Sequence, residues 1–310
     1  MKKIRNTIIL GVIFILCMPF AFFAGGCDGD RSPEIVVTIF PIYDWTRVIL
    51  GDNPADFKVR YLLETGVDLH LYTASFQDIA DISDCYLFIY VGGKSDGWTL
   101  NALANRRNQE RQTLSLMNLV LDEAVMGGDD CCGGESFDEH IWLSLNFTIR
   151  FVEAIRDKII ALDPANTSIY SANAAAYIAN LEALRSEFSQ MVEEATQDTI
   201  IIADRFPFVY FINDLGIDFY AAFDGCTAAT DVPPARRANL INAINRLNPQ
   251  AILTINNRAL AETIRRDSNY EPDILYLQDF QTVSRNMVNN GFTFLQGMQA
   301  NLESLARALA

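Results

Sequence analysis

Residues 164–196 read PANTSIYSANAAAYIANLEALRSEFSQMVEEAT, with no glycine, and with no proline after Pro164. Large apolar residues recur along this stretch at spacings of seven, four, three, four and three, which places them on one stripe of a single helix. They are Tyr170, Tyr177, Leu181, Leu184, Phe188 and Met191. At 1.5 Å per residue, a helix of roughly 30 residues is about 45 Å long. This length is more than one small domain needs, so the stretch predicts a long helix that links two lobes.

Short apolar segments alternate with helix-like segments on both sides of this long helix. The first side contains IVVTIF (35–40), ended by Pro41, and YLFIYVGG (86–93). The second side contains TIIIAD (199–204) and DILYLQ (273–278). Strands that are apolar throughout and separated by helices indicate parallel sheets covered on both faces.

The predicted fold class is therefore α/β, with two doubly wound α/β lobes joined by one long rigid helix. A ligand cleft is expected between the lobes, where the strand ends face each other. The predicted segments are a signal peptide and lipobox at 1–27, an amino-terminal lobe at 28–160, the linking helix at 161–197 and a carboxyl-terminal lobe at 198–310.

The first residues predict export from the cytoplasm. A basic start is followed by an apolar run from Ile8 to Ala24 and by the small residues Gly25 and Gly26 before Cys27. This order resembles a bacterial lipobox, in which Cys27 becomes a lipid-modified amino terminus. An uncleaved signal anchor is the alternative. Either way the body is expected at the outer face of the cytoplasmic membrane, since no later stretch has the ~20 unbroken apolar residues of a membrane span.

The charge of the chain argues against nucleic acid as a partner. Without residues 1–26, the chain has 21 Lys and Arg residues against 39 Asp and Glu residues, a formal charge of −18. Such a surface suits a protein that attracts cations, although acidity can also serve solubility alone. Half of the residues are hydrophobic, enough for one large or two medium domains.

Four cysteines remain in the body: Cys85, Cys131, Cys132 and Cys226. Their pairing is open. Cys131 and Cys132 are adjacent in the acidic, glycine-rich stretch MGGDDCCGGES (126–136), which is expected to be a loop. They could bridge each other, stay reduced or hold metal weakly.

The chain has only two histidines, His70 and His140. His70 lies in a turn between a strand and a helix, and His140 follows Asp138 and Glu139. Carboxylates beside an imidazole can ligate a metal ion directly or accept the hydrogen bond that fixes the ring tautomer. Capping of a following helix is their ordinary alternative, and it is expected for at least one of the two.

Eight segments, spread in order over nearly the whole body, resemble the zinc-type metal-binding lipoproteins of ABC importers. They are VTIFPIYDW, TGVDLHLYTAS, LFIYVGGKSDGW, DEHIWLS, DPANTSIYSANAAAYIANL, ADRFPFVYF, FYAAFDGC and LTINNRALAETI. The resemblance implies a divalent metal ion held in the cleft between two lobes and delivered to a membrane permease. The body is expected to work as a monomer.

The same resemblance makes His70 and His140 two metal ligands from the first lobe. Neutral imidazole suits Zn²⁺, which needs two further donors for tetrahedral closure. Many relatives supply a third histidine near ADRFPFVYF, but here Arg205 stands at the nearest place, beside Asp204. Several acidic residues are candidates for the missing donors. Asp204 is the first choice, Asp231, Asp279 and Glu139 are less certain, and Glu64, Asp68 or water could also fill the site.

Three alternatives stay open. Arg205 could pair with Asp204 and neutralise it. A site of two imidazoles with carboxylate or water would have harder donor atoms than a three-histidine site, which makes Mn²⁺ the alternative to Zn²⁺. A two-lobed adhesion or sensing lipoprotein with a degraded metal site is the competing function. An enzyme is not predicted, because the sequence has no HExxH helix, GxSxG elbow or phosphate-binding glycine motif.

Overall fold

Two four-stranded parallel sheets form the framework of the computed structural model, which describes residues 34–127, 136–223, 225 and 232–310. The first sheet has the order β2-β1-β3-β4, with β1 Glu34–Val37, β2 Lys58–Tyr61, β3 Leu87–Tyr90 and β4 Gln112–Ser115. The second has the order β6-β5-β7-β8, with β5 Thr199–Ile202, β6 Asp218–Ala221, β7 Ala251–Thr254 and β8 Asp273–Tyr276. In each sheet the central strands are mostly apolar and buried, as in Ile35–Val37 of β1 and Ile200–Ile202 of β5. Parallel neighbours require crossover connections, which the helices supply. This confirms the predicted fold class.

The first lobe runs from β1 to α4. Its elements are β1 Glu34–Val37, α1 Phe40–Leu50, β2 Lys58–Tyr61, α2 Phe76–Asp84, β3 Leu87–Tyr90, α3 Thr99–Ala104, β4 Gln112–Ser115 and α4 Leu145–Leu162. The second lobe follows the linking helix α5, Thr167–Glu194. Its elements are β5 Thr199–Ile202, α6 Val209–Leu215, β6 Asp218–Ala221, α7 Pro234–Leu247, β7 Ala251–Thr254, α8 Arg258–Arg266, β8 Asp273–Tyr276, α9 Arg285–Asn289 and α10 Phe294–Ala308.

The linking helix α5 spans Thr167–Glu194, about 42 Å at 1.5 Å per residue. It begins later than Pro164 because Pro164–Asn166 form a separate 3₁₀ turn. The predicted stripe is the buried face, with Ala174 added and Met191 only partly buried. The helix packs against α1 and α4 of the first lobe and against α6 and α10 of the second. One continuous helix therefore supports both lobes, as the sequence predicts.

The last helix ties the carboxyl end of the chain back to the first lobe. The Phe294 ring lies edge-on to the Trp45 ring at 5.2 Å, and the Phe294 N–H donates to Asp44 at 3.0 Å. The apolar core is thus shared between the lobes. The predicted segment boundaries, 1–27, 28–160, 161–197 and 198–310, stay predictions.

Several predicted features lie outside the described residues: the signal segment with Cys27, the cysteines Cys131, Cys132 and Cys226, and Asp231. Cys85 is a buried thiol that donates to the Ile82 carbonyl at 3.2 Å, and burial raises its pKa to about 12. Within the part of the chain that the structure describes, no helix combines the length and the apolar composition that a membrane crossing requires.

Candidate metal centre

The two histidines are positioned by the same local device. Each lies two residues after an aspartate, and that aspartate accepts the backbone N–H of the histidine: Asp68 from His70 at 3.0 Å, and Asp138 from His140 at 2.9 Å. Such side-chain acceptors organise tight turns. In both cases the histidine lies at or just before a short 3₁₀ turn, Leu69–Leu71 or Ile141–Leu143.

The turns bring the two imidazoles together at an interplanar angle of 53°, with 3.3 Å between His70 Nε2 and His140 Nε2. His140 Nδ1 donates to Asp138 Oδ1 at 2.8 Å. His70 Nδ1 lies 2.7 Å from Ser95 Oγ and 3.2 Å from Glu139 Oε1. A carboxylate cannot donate, so these contacts place the proton of each neutral ring on Nδ1. Two nitrogen lone pairs then point into one small space, an arrangement that a cation between them stabilises.

Glu139 is buried against His70 and contacts both Ser95 and His70 of the first lobe. Ser95 donates to it from Oγ at 2.5 Å and from its backbone N–H at 3.0 Å, and His70 Nδ1 is the third contact. Burial would raise the pKa of this carboxyl, but the hydrogen bonds from His70 and Ser95 lower it to about 2. Glu139 therefore stays charged and orients the His70 ring.

The acids beside His140 do not cap a helix as expected. Ser144 caps α4, accepting from the Phe147 N–H at 3.1 Å, so the capping prediction for Asp138 or Glu139 is wrong. Asp138 accepts a hydrogen bond from His140 Nδ1, whereas Glu139 contacts Nδ1 of His70. The 3₁₀ turn at Ile141–Leu143 lies between these acids and the start of α4, so neither acid is at the N-cap position.

Asp204 lies just beyond β5, but its carboxylate is directed into the second lobe. Its Oδ2 accepts four hydrogen bonds at 2.8–3.0 Å, from Thr254 Oγ1 and from the backbone N–H groups of residues 255–257. Its Oδ1 accepts the Arg205 backbone N–H at 2.8 Å. These bonds organise the loop that follows β7, and the role of Asp204 as a metal ligand stays a prediction.

Arg205 forms ion pairs with two other acids, one from each lobe. Its guanidinium lies 2.5 Å from Asp68 Oδ2 and 2.8 Å from Asp279 Oδ2. Burial would raise the pKa of Asp68, but the charge and hydrogen bond of Arg205 hold it below its usual value. Asp279 also accepts from the Gln281 side chain at 3.1 Å. Glu64, a further candidate, is paired with Arg285 at the surface.

The residues that the structure describes bring His70 and His140 together but no third donor. Among them, no group of three or more His, Cys, Asp or Glu side chains has the geometry to hold a metal ion. Sequence reasoning assigned no role to Ser95, Gly93 and Trp142. Ser95 contacts the His70 ring, Gly93 leaves room for Glu139, and Trp142 packs against the His140 ring. The first two lie in LFIYVGGKSDGW, a segment that carried the resemblance without indicating a role for them.

Comparison with known proteins decides the family. Residues 35–308 match the family described as zinc-uptake complex component A, periplasmic. This chain belongs to that family. Within it, the zinc-binding lipoprotein AdcA of Streptococcus pneumoniae is 26% identical over 307 residues, covering 95% of this chain and 60% of AdcA. The chain therefore spans less than two thirds of the length of that curated relative.

Two further proteins are similar to this chain. The crystal structure of the Zn(II)-bound ZnuA-like domain of S. pneumoniae AdcA superposes with a TM-score of 0.73 at 25% identity, covering 90% of this chain and 99% of that domain. The iron ABC transporter substrate-binding lipoprotein MtsA of Streptococcus pyogenes is 24% identical, covering 99% of each chain. Relatives of this chain thus include proteins named for more than one metal.

Proposed function

We propose that this protein captures a divalent metal ion, Zn²⁺ in first place, outside the cell and delivers it to the permease of an ABC importer. The ligands are His70 and His140. It acts as a monomer, without turnover, anchored through lipid on Cys27. Membership of a zinc-uptake family and the relatives named as lipoproteins support this function.

One observation carries the proposal: the separation of 3.3 Å between the two Nε2 atoms. Zn–N bonds of about 2.0–2.1 Å at a tetrahedral angle place two ligand nitrogens about 3.3–3.4 Å apart. Both rings present Nε2 because their Nδ1 atoms are held by Asp138 and by Ser95 and Glu139. Such partners fix ring orientation and raise ligand basicity.

The test is calorimetric titration of the chelator-stripped body with Zn²⁺ and with Mn²⁺. Wild type is expected to bind about one equivalent of Zn²⁺ tightly. The variant His70→Ala, His140→Ala is expected to lose at least about 100-fold in affinity, because no described acid replaces an imidazole. Circular dichroism and the melting temperature of the metal-free variant show whether the fold survives. Equal Zn²⁺ affinity in a folded variant would refute the proposed site.

Gly93→Ala is expected to weaken Zn²⁺ binding without touching a ligand. A Cβ at Gly93 would lie 2.2 Å from Glu139 Oε2 and 2.4 Å from Glu139 Cβ, so Glu139 must move away from His70. Loss of such an orienting partner typically costs 10–100-fold in metal affinity, so we expect a loss of about that size. The measurement is the same titration.

Gly97→Ala is the matched control, because its Cβ would meet only the Lys94 carbonyl oxygen, at 3.1 Å. It lies in the same loop and should leave Zn²⁺ affinity within about twofold of wild type. Gly93 and Gly97 variants that weaken binding equally would point to the loop backbone instead of Glu139.

A further inference from the structure

Arg205 is a mostly buried cation that joins the two lobes beside the histidine pair. It forms ion pairs with Asp68 of the first lobe and with Asp279 of the second. Bidentate or doubly paired guanidinium groups form the strongest charge-assisted hydrogen bonds in proteins. Removing one partner of a buried ion pair leaves an uncompensated charge. The three side chains therefore hold one another in place.

Both acids are connected directly to the surroundings of the imidazoles. Asp68 accepts from Arg205 through Oδ2 and from the His70 N–H through Oδ1. On the other side, the Asp279 carbonyl accepts from Trp142 Nε1 at 2.8 Å, and the Trp142 ring lies 5.2 Å from the His140 ring. Arg205 thus reaches the neighbours of each histidine from the second lobe.

The backbone after Asp279 is built to keep this carboxylate in place. Phe280 adopts a φ of +61°, a region that costs a bulky residue free energy. Its ring packs on Phe294 at 4.7 Å and Phe40 at 6.3 Å. The Gln281 N–H donates to Asp279 Oδ1 at 3.1 Å. Core packing thus holds a strained turn that presents Asp279 to Arg205.

We propose that Arg205 is a specificity-determining residue, because its ion pairs with Asp68 and Asp279 keep both carboxylates from binding a metal ion. A bound ion is then held by the two imidazoles without a carboxylate from the second lobe. This inference rests on the proposed function. A carboxylate engaged with a guanidinium is a poorer donor to a metal ion, and a nearby fixed cation repels one. Mn²⁺ prefers oxygen donors, whereas imidazole suits Zn²⁺. Arg205 therefore biases the site against Mn²⁺.

The test is a double-mutant cycle between Arg205→Gln and Asp279→Asn, with Zn²⁺ and Mn²⁺ affinities measured by calorimetry. Arg205→Gln should raise Mn²⁺ affinity about tenfold or more, and Zn²⁺ affinity by less. Asp279→Asn alone should leave the ratio of Zn²⁺ to Mn²⁺ affinity within about twofold of wild type, because this carboxylate is engaged with Arg205 there. In the Arg205→Gln background, Asp279→Asn should remove most of the gain in Mn²⁺ affinity. The Zn²⁺ to Mn²⁺ ratio is a readout that a purely structural role would not move.

Two controls keep the test decisive. Asp68→Asn with Arg205→Gln removes one charge of each sign and releases Asp279 alone, so it should show the same Mn²⁺ gain if Arg205→Gln does not fold. Folding of each variant is checked by thermal unfolding without metal. Unchanged or weaker Mn²⁺ affinity in a folded Arg205 variant would overturn the inference. So would an Asp279→Asn effect that is equal with and without Arg205.

The outcomes separate this inference from the proposed function. If the histidine variant loses Zn²⁺ but Arg205→Gln gains no Mn²⁺ affinity, the function stands and the inference falls. If wild type binds neither ion, the proposed function falls and the inference, which rests on it, falls with it.

Discussion

Asp204→Ala is expected to lower the free energy of unfolding of the metal-free protein by about 3–5 kcal/mol. The substitution removes the acceptor of Thr254 Oγ1 and of three successive backbone N–H groups, at residues 255–257. It also removes the acceptor of the Arg205 N–H. Donors that are partly shielded from water cost free energy when they lose their acceptor, and the loop after β7 loses the carboxylate that three of its N–H groups share. Urea denaturation in chelator measures the change.

Asp204→Asn is the matched control, because it keeps one side-chain oxygen and the shape of the carboxylate but loses the charge. Its loss of stability should be smaller than that of Asp204→Ala. The two roles considered for Asp204 give opposite results. A ligand would leave the metal-free stability nearly unchanged and abolish stabilisation by Zn²⁺. That result would contradict the structural role.

The sequence predicts the framework well because local periodicity encodes it. The stripe from Tyr170 to Phe188 has helical spacing, and its buried face joins both lobes as expected. Short apolar strands such as Ile200–Ile202 are buried on both faces, which is what their uniform apolar composition requires. His70 and His140 could be paired because they are the only imidazoles and both lie in segments that carry the family resemblance.

The side-chain partners in the second lobe could not be predicted from local periodicity, because the contacts that matter there join residues far apart in sequence. Arg205 lies 137 residues from Asp68 and 74 residues from Asp279 in sequence. Asp204 is adjacent to Arg205 in sequence, yet its carboxylate turns toward the loop after β7. A position at a strand end indicates where a side chain starts, and the surrounding donors decide where its charge points.

Trp142→Ala is expected to lower the free energy of unfolding by about 3–5 kcal/mol, the usual range for removal of a large buried aromatic side chain. Trp142 is fully buried. Its ring contacts the His140 ring, and its Nε1 donates to the Asp279 carbonyl at 2.8 Å. The substitution therefore leaves a cavity beside a histidine and an unsatisfied buried carbonyl in the other lobe. We expect weaker Zn²⁺ binding as well, because the His140 ring loses the wall that fixes its orientation.

Trp142→Phe separates the two contributions. It fills most of the cavity and keeps an aromatic neighbour for His140, but it cannot donate to Asp279. Its loss of stability should be about 1–3 kcal/mol, the cost of one unsatisfied buried group, and its Zn²⁺ affinity should stay near that of wild type. Urea denaturation and Zn²⁺ titration of both variants provide the comparison. If Trp142→Phe weakens Zn²⁺ binding as much as Trp142→Ala does, packing against His140 is not the cause. The bond to the Asp279 turn would then be the contact that transmits changes between the lobes to the histidine pair.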